Sequence, residues 1–183
     1  SEVQFVRPVQ WLLFIHGDKV VPCTILDAVA GNQTFGHRFH HPDAITVTKP
    51  AAYADLLERQ GKVVARFEQR RDTIKQQVQK TAEALGGTPD LDDELLDEVT
   101  ALNEWPVPIA GTFEERFLEV PHEALVLTMK LNQKYFPLFE VQGRISVAGG
   151  ETPEATDAKG KLMNHFITIA NIDSPKPELI KEG

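Results

Sequence analysis

"ARFEQRRDTIKQQVQKTAEALGGTPDLDDELLDEVTALNEW", residues 65–105, holds two helical patterns joined by a turn, and it settles the choice between an all-β chain and a mixed one. In its first half Phe67, Ile74, Val78 and Leu85 fall on one helical face, and Gly86-Gly87 ends the run, which predicts a helix over 65–85. In its second half an acidic first turn suits a helix N-terminus, and Trp105-Pro106 stops the helix. The two helices are expected to pair as a hairpin over 65–104. Their charges are opposed. Residues 59–80 carry Arg59, Lys62, Arg66, Arg70, Arg71, Lys75 and Lys80 against Glu68 and Asp72, whereas 81–104 hold eight acids and no Lys or Arg.

The flanking sequence reads mostly as strands. "VQWLLFIHGDKVVPCTIL" (9–26) consists of two β-prone runs around His16-Gly17-Asp18, which predicts a hairpin of 9–15 with 19–26. A short strand is expected at 44–48. "PAAYADLLERQG" (50–61) then reads as a short helix with Pro50 at its start and Gly61 as its stop. Beyond the helical hairpin come a strand in "VPIAGTF" (107–113) and a helix opened by Pro121 in "PHEALVLTMKLN" (121–132). Two strands around Gln142-Gly143 follow in "KYFPLFEVQGRISV" (134–147), then a polar loop in "GGETPEATDAKGK" (149–161) and a strand in "NHFITIANI" (164–172). The expected class is α+β, as one domain over 1–183: a mixed, largely antiparallel sheet with flanking helices and the helical hairpin.

Composition excludes several functional classes. The 183 residues include 42% apolar and 25% charged positions, and no apolar run approaches the roughly 20 residues needed to span a bilayer. A lone Cys23 rules out an internal disulfide and a cysteine-based zinc site, and no basic-then-apolar signal precedes it, so a cytoplasmic origin is expected. The opening Ser1-Glu2-Val3, without methionine, reads as the start of a piece cut from a longer polypeptide. The net charge of −8 argues against an autonomous nucleic-acid binder, because phosphate neutralisation needs clustered cations.

No catalytic constellation stands out. In "GNQTFGHRFHH" (31–41) His37, His40 and His41 are close in sequence, but adjacent His40 and His41 diverge in extended chain and the nearby acid is Asp43 alone, so no metal is expected. His122-Glu123 is followed by no second zinc-binding histidine, Cys23 lies within a predicted strand, and neither a Gly-x-Ser-x-Gly elbow nor a phosphate-binding loop occurs. The basic helix leaves two readings open. Arg66, Arg70, Arg71, Lys75 and Lys80 could face phosphate, or they could pair with the acidic helix that follows. Asn132, Gln133, Lys134 and Tyr135 form a polar quartet after an apolar helix, and could read a ligand or stabilise a turn.

A resemblance adds to this reading. "FVRPVQWLLFIHGDKVVP", "TFGHRFHHP", "YADLLERQGKVVARFEQRR", "LLDEVTALNEWPVPIAGTFEERFLEVPHEALVLTMKLNQKYFPL" and "FITIANIDSPKPELIKEG" together, in that order, resemble the β subunit family of bacterial glycyl-tRNA synthetase over nearly the whole chain. The family often has a histidine where this chain has Asn132. The resemblance implies part of a heterotetramer of two α and two β subunits that joins glycine to its tRNA, with ATP and magnesium used by the class II core of the α subunit. It implies no cofactor for this segment, tRNA and the α subunit as partners, and a fold similar to the editing-type module of the phenylalanyl-tRNA synthetase β subunit. The expected role is a non-catalytic tRNA-positioning and scaffold module, with Arg38, Arg66, Arg70, Arg71 and Lys134 as candidate phosphate contacts. The alternative is a hydrolytic editing domain using water positioned by Asn132, His37 or backbone groups. Glycine is the smallest amino acid, so steric exclusion already rejects larger ones and reduces the need for editing.

Overall fold

The computed structural model describes residues 9–141 and 160–174. The sequence points to one domain; the described residues divide into two compact units, with the boundary between Phe67 and Glu68, and each is taken by itself below.

The first unit is built from short strands. β1 (Leu12–Leu13) pairs in parallel with β5 (Ala28–Gly31), β2 (Ile15–His16) pairs antiparallel with β3 (Lys19–Val20), and β4 (Thr24–Ile25) pairs antiparallel with β5. The expected turn at Gly17 is present with φ 63°. The two long strands at 9–15 and 19–26 are not, and this corrects the sequence reading. Pro22 interrupts the second run, and Leu26 and Asp27 both adopt positive φ, turning the chain so that Ala28 faces Ile25. Two consecutive left-handed residues make the tight turn that twisted hairpins favour. Here they carry none of the glycine or asparagine that announces it. β6 (Gln33–Phe35) then pairs antiparallel with β7 (Ala44–Thr46), which occupies the predicted 44–48 strand.

The expected helix at 50–61 is one continuous helical run of three kinds. Pro50–Ala52 form a 3₁₀ turn, α1 spans Tyr53–Leu56, and Leu57–Gly61 widen into a π turn that stops at Lys62 in the left-handed conformation. Ile45, Val47, Leu57 and Val64 are buried in this unit.

The second unit is a four-stranded antiparallel sheet with two helices on it. α2 (Phe67–Ala84) and α3 (Asp93–Leu102) match the predicted pair, and β8 (Gly87–Pro89) lies between them. β9 (Val107–Thr112), α4 (His122–Thr128), β10 (Phe136–Glu140) and β11 (Leu162–Ala170) follow, and the strand order is β8-β10-β11-β9. The proline-bearing strands suit their places. Pro89 and Pro108 sit on the two edge strands, where a missing N–H costs no ladder bond, and Pro137 lies where the β10–β11 register slips. The second strand expected after Gln142-Gly143 and most of the 149–161 loop lie outside the described residues.

Ile74, Val78 and Ala82 of α2 and Leu95, Leu96 and Val99 of α3 form one core with Phe136 and Leu138 of β10 and Ile167 and Ile169 of β11. Fully burying one such large apolar side chain is worth roughly 1.5–3 kcal/mol, so this layer dominates the unit's stability. The α2 face differs in detail from the prediction: Ala82 continues the i, i+4, i+8 stripe, Leu85 only packs beside the core, and Phe67 is exposed. The class is therefore α+β, but with four small sheets among the described residues instead of one mixed sheet.

Candidate functional site

The charge polarity of the chain resolves into contacts between α2 and α3. Arg71 pairs with Asp97 and, at 2.7 Å, with Asp93, while Arg70 Nε donates to the Thr100 carbonyl at 3.0 Å. Hydrogen bonds that Arg71 donates to Asp97 and Asp93 raise its guanidinium above its ordinary value. Burial lowers Arg70, and Glu104 opposes that shift. Lys134 follows α4 in the left-handed conformation, with Nζ 2.8 Å from Glu98 and 2.7 Å from the Leu131 carbonyl. Three of the five candidate cations thus hold α3. The other two, Arg38 and Arg66, are exposed in the first unit and form no ion pair among the described residues.

A second cluster escaped the sequence reading. Lys130 Nζ lies 2.6 Å from Asp92 Oδ2 and 3.3 Å from Asp90 Oδ2, with side chains only 18%, 35% and 10% exposed respectively. The other oxygen of Asp92 accepts from the Glu94 and Leu95 N–H groups at 3.0 and 3.1 Å, capping α3. One carboxylate therefore starts a helix and anchors a lysine. The Lys130 hydrogen bond, assisted by the Leu95 N–H, holds the Asp92 carboxyl below its ordinary value. Burial disfavours charge on Lys130, but the Asp92 hydrogen bond and the attraction of Asp90 outweigh it and raise the ammonium. The sequence signal was "PDLDD", acids spaced to meet a helix start, yet the partner comes from 38 residues downstream.

Lys130 sits at the edge of a cleft of about 650 Å³ between α3 and α4. Leu95, Val126 and Phe139 contribute apolar lining, and the carboxylates of Glu94, Glu98 and Glu123 edge it. Asn132 is exposed and does not line this cleft.

The histidine-rich loop has a structural explanation. His37 is 2% exposed, and its Nδ1 accepts from the Phe39 and His40 N–H groups at 3.2 and 3.3 Å, so the imidazole closes the turn after Gly36. The His37 backbone N–H donates to the Gly61 carbonyl at 2.6 Å, and the His37 ring lies 4.7 Å from that of His40. Among the described residues no three His, Cys, Asp or Glu side chains converge to hold a metal ion, and no helix is long and apolar enough to cross a membrane.

Comparisons with known proteins bear on the whole length. The family model described as glycyl-tRNA synthetase beta subunit matches residues 1–183. The chain is 47% identical over 180 residues to the glycine–tRNA ligase beta subunit of Hahella chejuensis, covering 98% of this chain and 24% of that protein. It is 47% identical over 183 residues to the beta subunit of Pseudomonas putida strain GB-1, covering 100% and 24%, and 48% identical over 180 residues to that of Pseudomonas aeruginosa strain LESB58, covering 98% and 24%. The chain spans about a quarter of the length of these relatives. With a family model matched end to end and near half of all residues shared, the chain belongs to the glycyl-tRNA synthetase beta subunit family.

Proposed function

We propose that this chain is a non-catalytic module of a glycyl-tRNA synthetase β subunit, which supports ATP-dependent attachment of glycine to its tRNA by positioning the tRNA and by scaffolding subunits in the cytoplasm. ATP and magnesium belong, in this reading, to the α subunit. The observation that carries it is how the polar clusters of the described residues are used: Arg71 binds Asp93 and Asp97, Lys130 binds Asp90 and Asp92, and His37 binds its own turn. These groups hold the fold together, as in a scaffold.

Phosphate contact then falls to the exposed cations Arg38 and Arg66, with Arg70, Arg71 and Lys134 positioning α3. In the complete enzyme, Arg38→Glu and Arg66→Glu should each weaken tRNA binding uniformly and reduce the salt slope by about one. Unchanged affinity and slope in both variants would remove the RNA-positioning half of the proposal. The hydrolytic alternative, with a fold similar to the phenylalanyl-tRNA synthetase editing module, has less support. Its candidate His37 accepts backbone N–H groups at Nδ1, and Asn132 is exposed outside the cleft. Deacylation of mischarged tRNA by the chain alone would reverse that preference.

A further inference from the structure

The α3–α4 cleft has a composition that the tRNA reading does not use. Its α4 wall presents Glu123, Leu127 and Leu131 at four-residue spacing along the run from α4 into the π turn Met129–Gln133, so they share one face. Leu127 and Leu131 are 58% and 60% exposed. Two large aliphatic side chains so exposed, beside Leu95 and Val126, give the cleft an open apolar wall.

The charges around that wall select the occupant. Lys130, the one lysine in the lining, is held by Asp90 and Asp92, and Glu98 is held by Lys134. Glu94 on the α3 wall and Glu123 on the α4 wall form no ion pair among the described residues. The rim is therefore negative on both sides, which repels phosphate and attracts Lys or Arg. An apolar trough flanked by carboxylates on two helices complements an amphipathic helix with leucine-like anchors on one face and basic residues beside them.

We propose that the α3–α4 cleft is a docking groove for a basic amphipathic helix of a protein partner. Leu127 and Leu131 receive its apolar anchors, and Glu94 and Glu123 receive its cations. The idea rests on the scaffold half of the proposed function and is independent of the tRNA half.

The test titrates the 183-residue chain into a fluorescent 18-residue helical peptide with leucines on one face and lysines elsewhere, and into a second peptide with glutamate in place of lysine. The basic peptide should bind at least about tenfold more tightly than the acidic one, a difference of about 1.4 kcal/mol, and more weakly as salt rises. Leu127→Asp with Leu131→Asp should weaken it at least about tenfold, as should Glu94→Lys with Glu123→Lys. Leu102→Asp, at an exposed leucine away from the cleft lining, should leave it unchanged. Both leucines are exposed, so these variants keep their helical circular dichroism. Equal affinity for the two peptides, or basic-peptide binding indifferent to the cleft variants, would overturn the proposal. So would cleft variants that lower tRNA affinity while sparing the peptide, which would assign the cleft to RNA. Because the peptide assay contains no RNA, its failure leaves the Arg38 and Arg66 result standing, and theirs leaves it standing.

Discussion

Gly36 and Gly61 meet backbone to backbone: a Cβ on Gly36 would lie 2.5 Å from the Gly61 carbonyl oxygen and 2.6 Å from its Cα. That same carbonyl accepts the His37 N–H. The contact fixes the start of the His37 turn against the π turn that ends the first unit's helix. Gly36→Ala has no flexible neighbour to displace, so it should destabilise this unit by about 1–3 kcal/mol, as overpacking does. Gly31 is the control, since a Cβ there meets nothing closer than 4.0 Å. Chemical denaturation should show Gly31→Ala near neutral and Gly36→Ala clearly shifted; equal midpoints would remove the argument.

The Lys130 cluster separates two effects that usually travel together. Lys130→Met leaves the nearly buried Asp90 carboxylate without its cation, and should cost roughly 3 kcal/mol. Asp92→Asn removes charge but keeps a side chain that caps helices as well as aspartate, whereas Asp92→Ala loses both and should cost about 1 kcal/mol more. If the two Asp92 variants unfold together, Asp92 is not acting as a cap.

The pH dependence of that cluster has a definite sign. The Asp92 carboxyl is depressed in the folded state by Lys130 and the Leu95 N–H. Its stabilisation is thus present above the ordinary carboxylate value and lost as pH falls through the lowered one, below about pH 4. Lys130 is raised, so its contribution holds below 10.5 and is lost as pH climbs through the higher folded value. Stability measured against pH should fall less steeply on the acid side in Asp92→Asn than in the parent chain. Superimposable acid limbs would contradict the shift.

Much of this fold is written locally. Pro and Gly punctuation with one-face spacing places α2 within a residue or two of the predicted 65–85, and β-branched runs place β7, β9 and β11. What is lost is what lacks a local mark. The Leu26-Asp27 turn has no glycine, so 19–26 reads as one strand, and Ala82 is too small to register as core although it is fully buried. The site residues show the same division. "TFGHRF" is legible as a shaped turn, but the Lys130–Asp92 pair, like the cleft beside it, exists only once α3 and α4 are brought together.

Arg71 tests whether the basic helix serves the fold. Its partners Asp97 and Asp93 are 57% and 87% exposed, and pairs this open to solvent contribute little. A double-mutant cycle of Arg71→Ala and Asp97→Ala should give a small favourable coupling, diminished by salt. A coupling of zero would mean the α2–α3 pairing owes nothing to the Arg71–Asp97 bridge and is carried by its other contacts, the Ile74 and Val78 packing foremost.

Across β9 and β11, Gly111 faces Phe166 in register, and a Cβ at position 111 would lie 2.3 Å from the tip of the Phe166 ring. The ring is also stacked on Tyr135, with centroids 4.3 Å apart and planes 11° from parallel, so one face is already occupied. An aromatic laid over a strand glycine shields backbone that would otherwise be open to water. Gly111→Ala should therefore destabilise the second unit by about 1–3 kcal/mol through overpacking. In a Phe166→Ala background the obstruction is gone, and the same substitution should become neutral or mildly stabilising, because alanine loses less backbone entropy than glycine in a strand. The coupling between the two positions should reach at least about 1 kcal/mol by denaturant titration. Additive effects would show that the ring yields freely, and that the Tyr135 stack does not hold it in place.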